Sequence, residues 1–379
     1  MQDFLRSRRG SAERALTTHL TVTQDAAFVQ RRDREDVMTS RQETASRGLT
    51  RRSALGATAA FAVTLPAIRP ARAAVELRLT HPADLSHPVH LEAEAMVKRI
   101  SERTNGEVKI TIFPNNALGS PVEAAQQTRL GAIDMMLLNP ANIEALSKTI
   151  GVINIPYQFD SYEHAHKTLD VTARDWISDQ LKAAGFAWIA NFEWGFRALT
   201  NSRRPINQPA DVQGLKIRVP PELAIKAAFE ALGASTQTIA FQEVYLALAN
   251  KVVDGQDNPV GTTFAAKFFE AQKHLALTRH IYASIMFCAN PRTWTTKLNE
   301  AQRKIVQEEG TTAGMAARKG VRDNEEANLA AMQKAGVEIT RPDVGPFRDK
   351  MGPAYDQLRK ALGEETWAAW AKLVASARA

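Results

Sequence analysis

The sequence of 379 residues has a single cysteine, Cys288. That excludes an intramolecular disulfide and any zinc cluster built on cysteine. Cys288 lies in the apolar run YASIMFCA, which suits a buried structural thiol better than a nucleophile. The usual catalytic signatures are missing as well. The chain has no HExxH, no GxSxG, no P-loop and no GxGxxG. Such absences do not exclude an enzyme, but no catalytic constellation asks to be explained. The histidines His81, His87 and His90, and the pair His164 and His166, lack the helical i, i+4 spacing of a zinc protease, so loop or capping roles are expected. An excess of basic charge is missing from most of the chain. Up to Ala73 there are 13 Lys+Arg and 7 Asp+Glu, leaving 35 and 34 for the remainder and a net of only +1 there. The overall +7 therefore belongs to the N-terminal segment, and a nucleic-acid partner loses its main support.

That segment, residues 1–73, reads as a leader. Arg51-Arg52 precedes an apolar run from Ala54 to Leu65, and Ala71-Arg72-Ala73 offers a small-x-small cleavage site. The run is too short to cross a bilayer core of about 30 Å as a helix. The arginine pair with Ser53 and Leu55 resembles a twin-arginine export signal. Everything before Met38 is polar and aperiodic, so Met38 is a candidate initiator. No later apolar segment is long enough to span a membrane, and the exported chain is expected to be soluble.

The rest alternates strands and helices. Val75–Thr80 and Val108–Phe113 read as strands, and Ile133–Leu138 as a third, fully apolar one. Helices are expected at His90–Thr104 and Pro121–Leu130, stopped by Asn105-Gly106 and Gly131. Ile153–Phe159 reads as a wall of the site or a crossover. Tyr162–Ala184 reads as a helix and Phe186–Phe192 as a strand with Glu193–Arg197 as its polar end. The pattern then restarts: Ala198–Asn201 is short and extended, and Leu215–Val219 is a strand. Pro220-Pro221 opens a helix closed by Gly233, and a further strand ends in Phe241. From Leu298 to Ala335 the sequence is helical, with Gly310, Gly314 and Gly320 as candidate breaks, and Val344–Ala379 is helical again. Two αβ lobes follow from this order.

Chemistry concentrates in Gly214–Pro259. Arg218 stands one residue from the end of its strand, where open αβ sheets bind ligands, and a guanidinium matches a carboxylate. A surface arginine paired with a local acid fits the same pattern. Arg197, flanked by Trp194 and Phe196, allows both readings too. Asn258 sits in GQDNP, which reads as a polar turn, and Phe241 suits either a ligand wall or the core.

These segments resemble the periplasmic solute receptors of tripartite ATP-independent (TRAP) transporters, the DctP-like family. GFRALTNSRRPI, DVQGLKIRVP, AFQEVYLALANKVVDGQDNP and FFEAQKHLALTRHI carry the resemblance, with FPNNALGS, INIPYQF and VEITRPDVGPF as weaker matches. The resemblance implies an α/β, two-lobed periplasmic-binding-protein-like fold with a cleft between lobes and a long lobe-spanning helix. It places lobe I at 74–196 and 285–323 and lobe II at 197–284 and 324–379. It implies that Arg218 pairs with a ligand carboxylate, that Arg197 and Asn258 assist it, and that Phe241, Asn139 and Trp194 line the cleft. The implied partners are a small carboxylate and the small and large membrane subunits of a permease. No cofactor is expected, no local carboxylate cluster commits the site to a metal, and the charge distribution argues against nucleic acid. Sialic-acid receptors of the family carry extra arginines where this chain has Ser120–Val122 and Asn139–Asn142, so a smaller organic acid is expected. An enzyme acting on a carboxylate, using Glu193, Glu243 or Asp257, and a sensor-associated receptor are the alternatives.

Overall fold

The computed structural model describes residues 74–378. The leader, its arginine pair and Met38 lie outside the described residues. The chain opens with β1 (Val75–Thr80), α1 (Pro88–Arg103), β2 (Val108–Phe113), α2 (Pro121–Leu130) and β3 (Met135–Leu138). β1 pairs in parallel with both β2 and β3, as the alternation of strands and helices requires. α2 has the bounds read from the sequence. Ser120 and Glu123 form a reciprocal cap at its start, and Gly131 ends it in the left-handed conformation. α1 begins two residues earlier than expected, because Pro88 is tolerated in the first turn and the His87 ring accepts a hydrogen bond from the Val89 N–H.

The expected helix Tyr162–Ala184 is divided. α3 (Tyr162–Lys167) and α4 (Arg174–Ala183) flank a π-helical turn at Thr168–Thr172. The wider turn carries Asp170, which forms an ion pair with Arg318. The segment Ile153–Phe159 belongs mainly to the core rather than to a wall of the site.

A larger departure follows. The expected break after Arg197 does not exist: β4 (Ala187–Asn201) is one strand of 15 residues. Its register shifts between Glu193 and Gly195, and Gly195 has φ +98°. A glycine bulge thus lets the strand bend without ending. The first part of β4 pairs with β9 (Tyr282–Ala289), up to Phe196 opposite Tyr282. From Arg197 onward it pairs with β7 (Gly255–Pro259) and β8 (His274–Ala276) instead. Arg197 is therefore the first residue after the strand changes partners.

Between these elements lie β5 (Lys216–Val219), α5 (Leu223–Ala231), β6 (Ser235–Thr238), α6 (Val244–Ala249) and α7 (Val260–Ala265). α5 starts after Glu222, not at the proline pair. A residue before proline is pushed out of the helical region, and Glu222 itself remains extended. β6 stops at Thr238, and Phe241 opens a 3-10 turn. The expected turn GQDNP is the fully buried strand β7. Its polar side chains bond inside the sheet, so burial does not expel them. The strands run in the order β2-β1-β3-β9-β4-β7-β5-β6.

α8 (Glu300–Lys334) is continuous over 35 residues, about 52 Å at helical rise. The glycines do not break it. A Cβ on Gly314 would lie 2.4 Å from the Asn191 carbonyl oxygen, and one on Gly310 would lie 3.0 Å from the Phe287 ring. They are the positions where the helix comes close to β4 and β9. Val306, Ala313 and Ala317 of α8 join the apolar core shared by α1, β1 and β3, whereas Leu329 and Met332 join a separate one with Val260 and Leu275. β10 (Glu338–Thr340), α9 (Gly345–Asp349), α10 (Gly352–Leu362) and α11 (Glu364–Ser376) complete the described chain. Among the described residues no helix is long and apolar enough to cross a membrane.

Candidate functional site

Strands β1, β3 and β5 end at one open cavity with an empty volume of about 810 Å³. Arg218, Arg197, Asn258, Phe241, Asn139 and Trp194 all line it. The six come from four strands or their ends and from one turn, and span residues 139–258 in sequence. A second hollow of about 520 Å³ adjoins, sharing Pro82, Trp194 and Phe241.

Arg218 is 2% exposed. Its Nε and Nη2 both donate to the Ile239 carbonyl, at 2.9 and 2.7 Å. That carbonyl directs the guanidinium while Nη1 donates to no described protein group. Burial lowers its pKa from the ordinary 12.5 to about 10, opposed by the Asp257 charge and reinforced by Arg197. It stays cationic at neutral pH. No described acid forms an ion pair with it, so the surface-arginine reading does not describe it.

Arg197 is also buried, but its charge is answered inside the protein. Its Nε donates to the Asp257 carboxylate at 2.5 Å, and Nη2 donates to the Asp257 carbonyl at 2.7 Å and to Asn258 Oδ1 at 3.4 Å. His280 contacts the same carboxylate at 3.0 Å. Burial alone would push the Asp257 carboxyl up; the Arg197 charge and the His280 contact outweigh it and hold the carboxyl well below its ordinary range. Asn258 completes the arrangement, donating to Gln256 Oε1 at 2.6 Å. Arg197 and Asn258 thus form a braced polar wall beside Arg218.

Asn139 directly follows β3. Its Nδ2 donates to the Ser284 carbonyl at 3.0 Å and its Oδ1 accepts from the Ala141 N–H at 2.9 Å. Its polar atoms hold the loop, so it shapes the cavity more than it offers free hydrogen bonds. Trp194 and Phe241 supply apolar surface. The Phe241 ring meets Phe268 edge-on at 5.7 Å, and Trp194 meets His87 at 6.0 Å.

The acids considered for an enzyme do not converge. None of Glu193, Glu243 and Asp257 lines the cavity. Glu193 is buried against His166 at 2.6 Å and Tyr282 at 2.8 Å. His87 caps α1, and His90 contacts His81 at 3.2 Å. No group of three or more metal-ligating side chains gathers among the described residues. Two cavity features escaped the sequence reading. One is the Asp257–Arg197 pair, whose members are 60 residues apart. The other is Glu222, a buried carboxyl in the cavity wall to which the sequence assigned no role.

The family model described as bacterial extracellular solute-binding protein, family 7 (DctP) matches residues 79–361. The chain belongs to this family. Among curated DctP relatives, a 2,3-diketo-L-gulonate-binding periplasmic protein of Escherichia coli is 35% identical over 281 residues, 74% of this chain and 85% of its own length. A sialic acid-binding periplasmic protein of Vibrio cholerae is 30% identical over 304 residues, 80% of this chain and 94% of its own. Among solved structures, a TRAP periplasmic solute binding protein from Polaromonas, bound to D-erythronate, superposes with a TM-score of 0.74 at 30% identity. The match covers 78% of this chain and 98% of that one. The mixed α/β sheet with its crossing strands is the architecture of these solute-binding proteins.

Proposed function

We propose that this DctP-family protein is the periplasmic receptor of a TRAP transporter, capturing a small organic carboxylate on Arg218 and delivering it unchanged to the small and large permease subunits. The observation that carries the reading is the state of Arg218. It is a buried cation in the cavity wall, oriented by one backbone carbonyl, with no acid among the described residues bound to it. Leaving such a charge in place is costly unless an anion completes it. Arg197, braced by Asp257 and Asn258, offers its remaining surface to the same anion, while Trp194 and Phe241 enclose the carbon skeleton.

Relatives named for 2,3-diketo-L-gulonate and D-erythronate place hydroxy- and keto-acids within the family's range. The cavity wall here has Ser120, Pro121 and Val122, and Asn139, Ala141 and Asn142, with no arginine among them. That favours an acid smaller than sialic acid.

Lobe I is taken as 74–196 and 285–323, and lobe II as 197–284 and 324–379. Two features support the division: β4 changes partners between Phe196 and Arg197, and α8 passes from one apolar core to another between Ala317 and Leu329. Closure of the lobes follows if the solute binds the closed form more tightly. The leader carries the protein through the twin-arginine pathway; replacing Arg51-Arg52 by lysines should stop export of a fused reporter.

The direct test is mass spectrometry of small molecules released on denaturing the purified protein. An organic acid, absent from Arg218→Gln prepared in parallel, is the expected result. A protein that converts the acid it binds, or that carries the same acid without Arg218, contradicts the reading.

A further inference from the structure

Glu222 lies in the wall of the same cavity and is 6% exposed. Its Oε1 has no hydrogen-bond partner among the described residues. The groups around it are Arg197 from β4, Arg218 from β5, Asp257 from β7, and Glu144 and Asn154 from the loop after β3. None of the described cations forms an ion pair with it: Arg197 is taken by Asp257, and Arg218 by the Ile239 carbonyl. A buried carboxylate without a cation is strongly disfavoured, whereas the neutral acid is tolerated and carries one O–H donor besides its acceptor oxygen. The cavity wall then has a simple charge balance. Arg197 and Asp257 cancel, Glu222 is neutral, and Arg218 remains.

We infer that Glu222 is a specificity residue: its un-ionised carboxyl hydrogen-bonds an oxygen of the solute and leaves Arg218 as the uncancelled charge of the wall, so the site takes monocarboxylates bearing a hydroxyl or keto oxygen and discriminates against dicarboxylate dianions. The inference rests on the carboxylate-receptor reading above. A second carboxylate would meet only Arg197, whose charge Asp257 already answers, and would lie near the Glu222 oxygens. Burial, the first cause, with Glu144 and Asp257 adding to it and Arg197 and Asn154 opposing, raises the Glu222 pKa to about 8. The neutral form therefore dominates at neutral pH and is lost above it. Arg218 keeps its charge over that interval, because its own pKa is about 10.

The test is calorimetric titration of the purified protein at pH 6.5 and 9. The probes are hydroxy- and keto-monocarboxylates including D-erythronate, the dicarboxylates succinate and fumarate, and the zwitterion glycine betaine. Monocarboxylates should bind, and dicarboxylates should bind at least tenfold more weakly. The tightest monocarboxylate should weaken about tenfold at pH 9, one unit above the Glu222 pKa. Glu222→Gln, which keeps an N–H donor and a carbonyl acceptor but cannot ionise, should lose the pH dependence between pH 6.5 and 9. Dicarboxylates binding as tightly as monocarboxylates, or a wild-type affinity that is flat with pH, would overturn the inference while leaving the receptor reading intact. Betaine binding lost in Glu222→Gln would overturn it in another way, by showing an ionised Glu222. Binding of no organic acid at either pH would overturn both readings. The wild-type arms need no variant, so poor folding of Glu222→Gln leaves the inference testable.

Discussion

Replacing Arg218 by glutamine should affect binding and stability in different directions. On binding, the loss of a buried charge-assisted partner for a carboxylate costs about 2–5 kcal/mol, a rise in Kd of roughly 30- to 5000-fold. On the unliganded protein the terms oppose one another. A pKa lowered from 12.5 to about 10 means that the surroundings, burial foremost, disfavour the charged guanidinium by about 3 kcal/mol net. The two hydrogen bonds to the Ile239 carbonyl return part of that, about 1–3 kcal/mol, and the glutamine amide can keep one of them. The variant should therefore melt at the wild-type temperature or a few degrees above it. The folded pKa of this base lies below its unfolded value, so the penalty is fully present below about pH 10 and is relieved only above it. The difference between variant and wild type should thus be constant from about pH 5 to 7, below the range in which the neighbouring Glu222 titrates. Thermal melts with and without a bound monocarboxylate, together with calorimetric titration, read both effects. A variant that melts far below wild type yet binds with unchanged Kd would show Arg218 to be structural and refute the reasoning.

Asp257→Asn removes the partner of a buried arginine and should cost about 3–5 kcal/mol in denaturant unfolding. The Asp257 carboxyl is held below its ordinary value, so its contribution is present above about pH 4 and disappears as pH falls through the lower folded value; the deficit of the variant should shrink in acid. Gly314→Ala places a Cβ 2.4 Å from the Asn191 carbonyl oxygen and should destabilise by about 1–3 kcal/mol, read as a lower melting temperature with and without ligand. Cys288 is fully buried and its thiol pKa is pushed up by burial, so a thiol reagent should label it no faster than the protein opens, with the rate rising with denaturant.

Much of the local structure was legible in the sequence, and the exceptions have physical causes. The bounds of α2 follow from Ser120, Glu123 and Gly131, because caps are local chemistry. The alternation before residue 139 identified the parallel strands. The single strand β4 was read as two, because Gly195 between the charged Glu193 and Arg197 looks like an ending; only pairing with β9 and then β7 keeps it extended. GQDNP was read as a turn because its residues are turn formers, yet strands on both sides make it β7. Gly310 and Gly314 looked like helix breakers and instead allow close packing.

The candidate site divides in the same way. The residues singled out from the sequence, two arginines at strand positions, two asparagines and two aromatics, all line one cavity. The sequence by itself determined the family, since the matching segments are specific and in order. It could not say which arginine is free. That depended on Asp257 reaching Arg197 across 60 residues, on the Ile239 carbonyl turning Arg218, and on the burial of Glu222. Charge pairing and desolvation depend on distance and burial, and only the tertiary structure sets those.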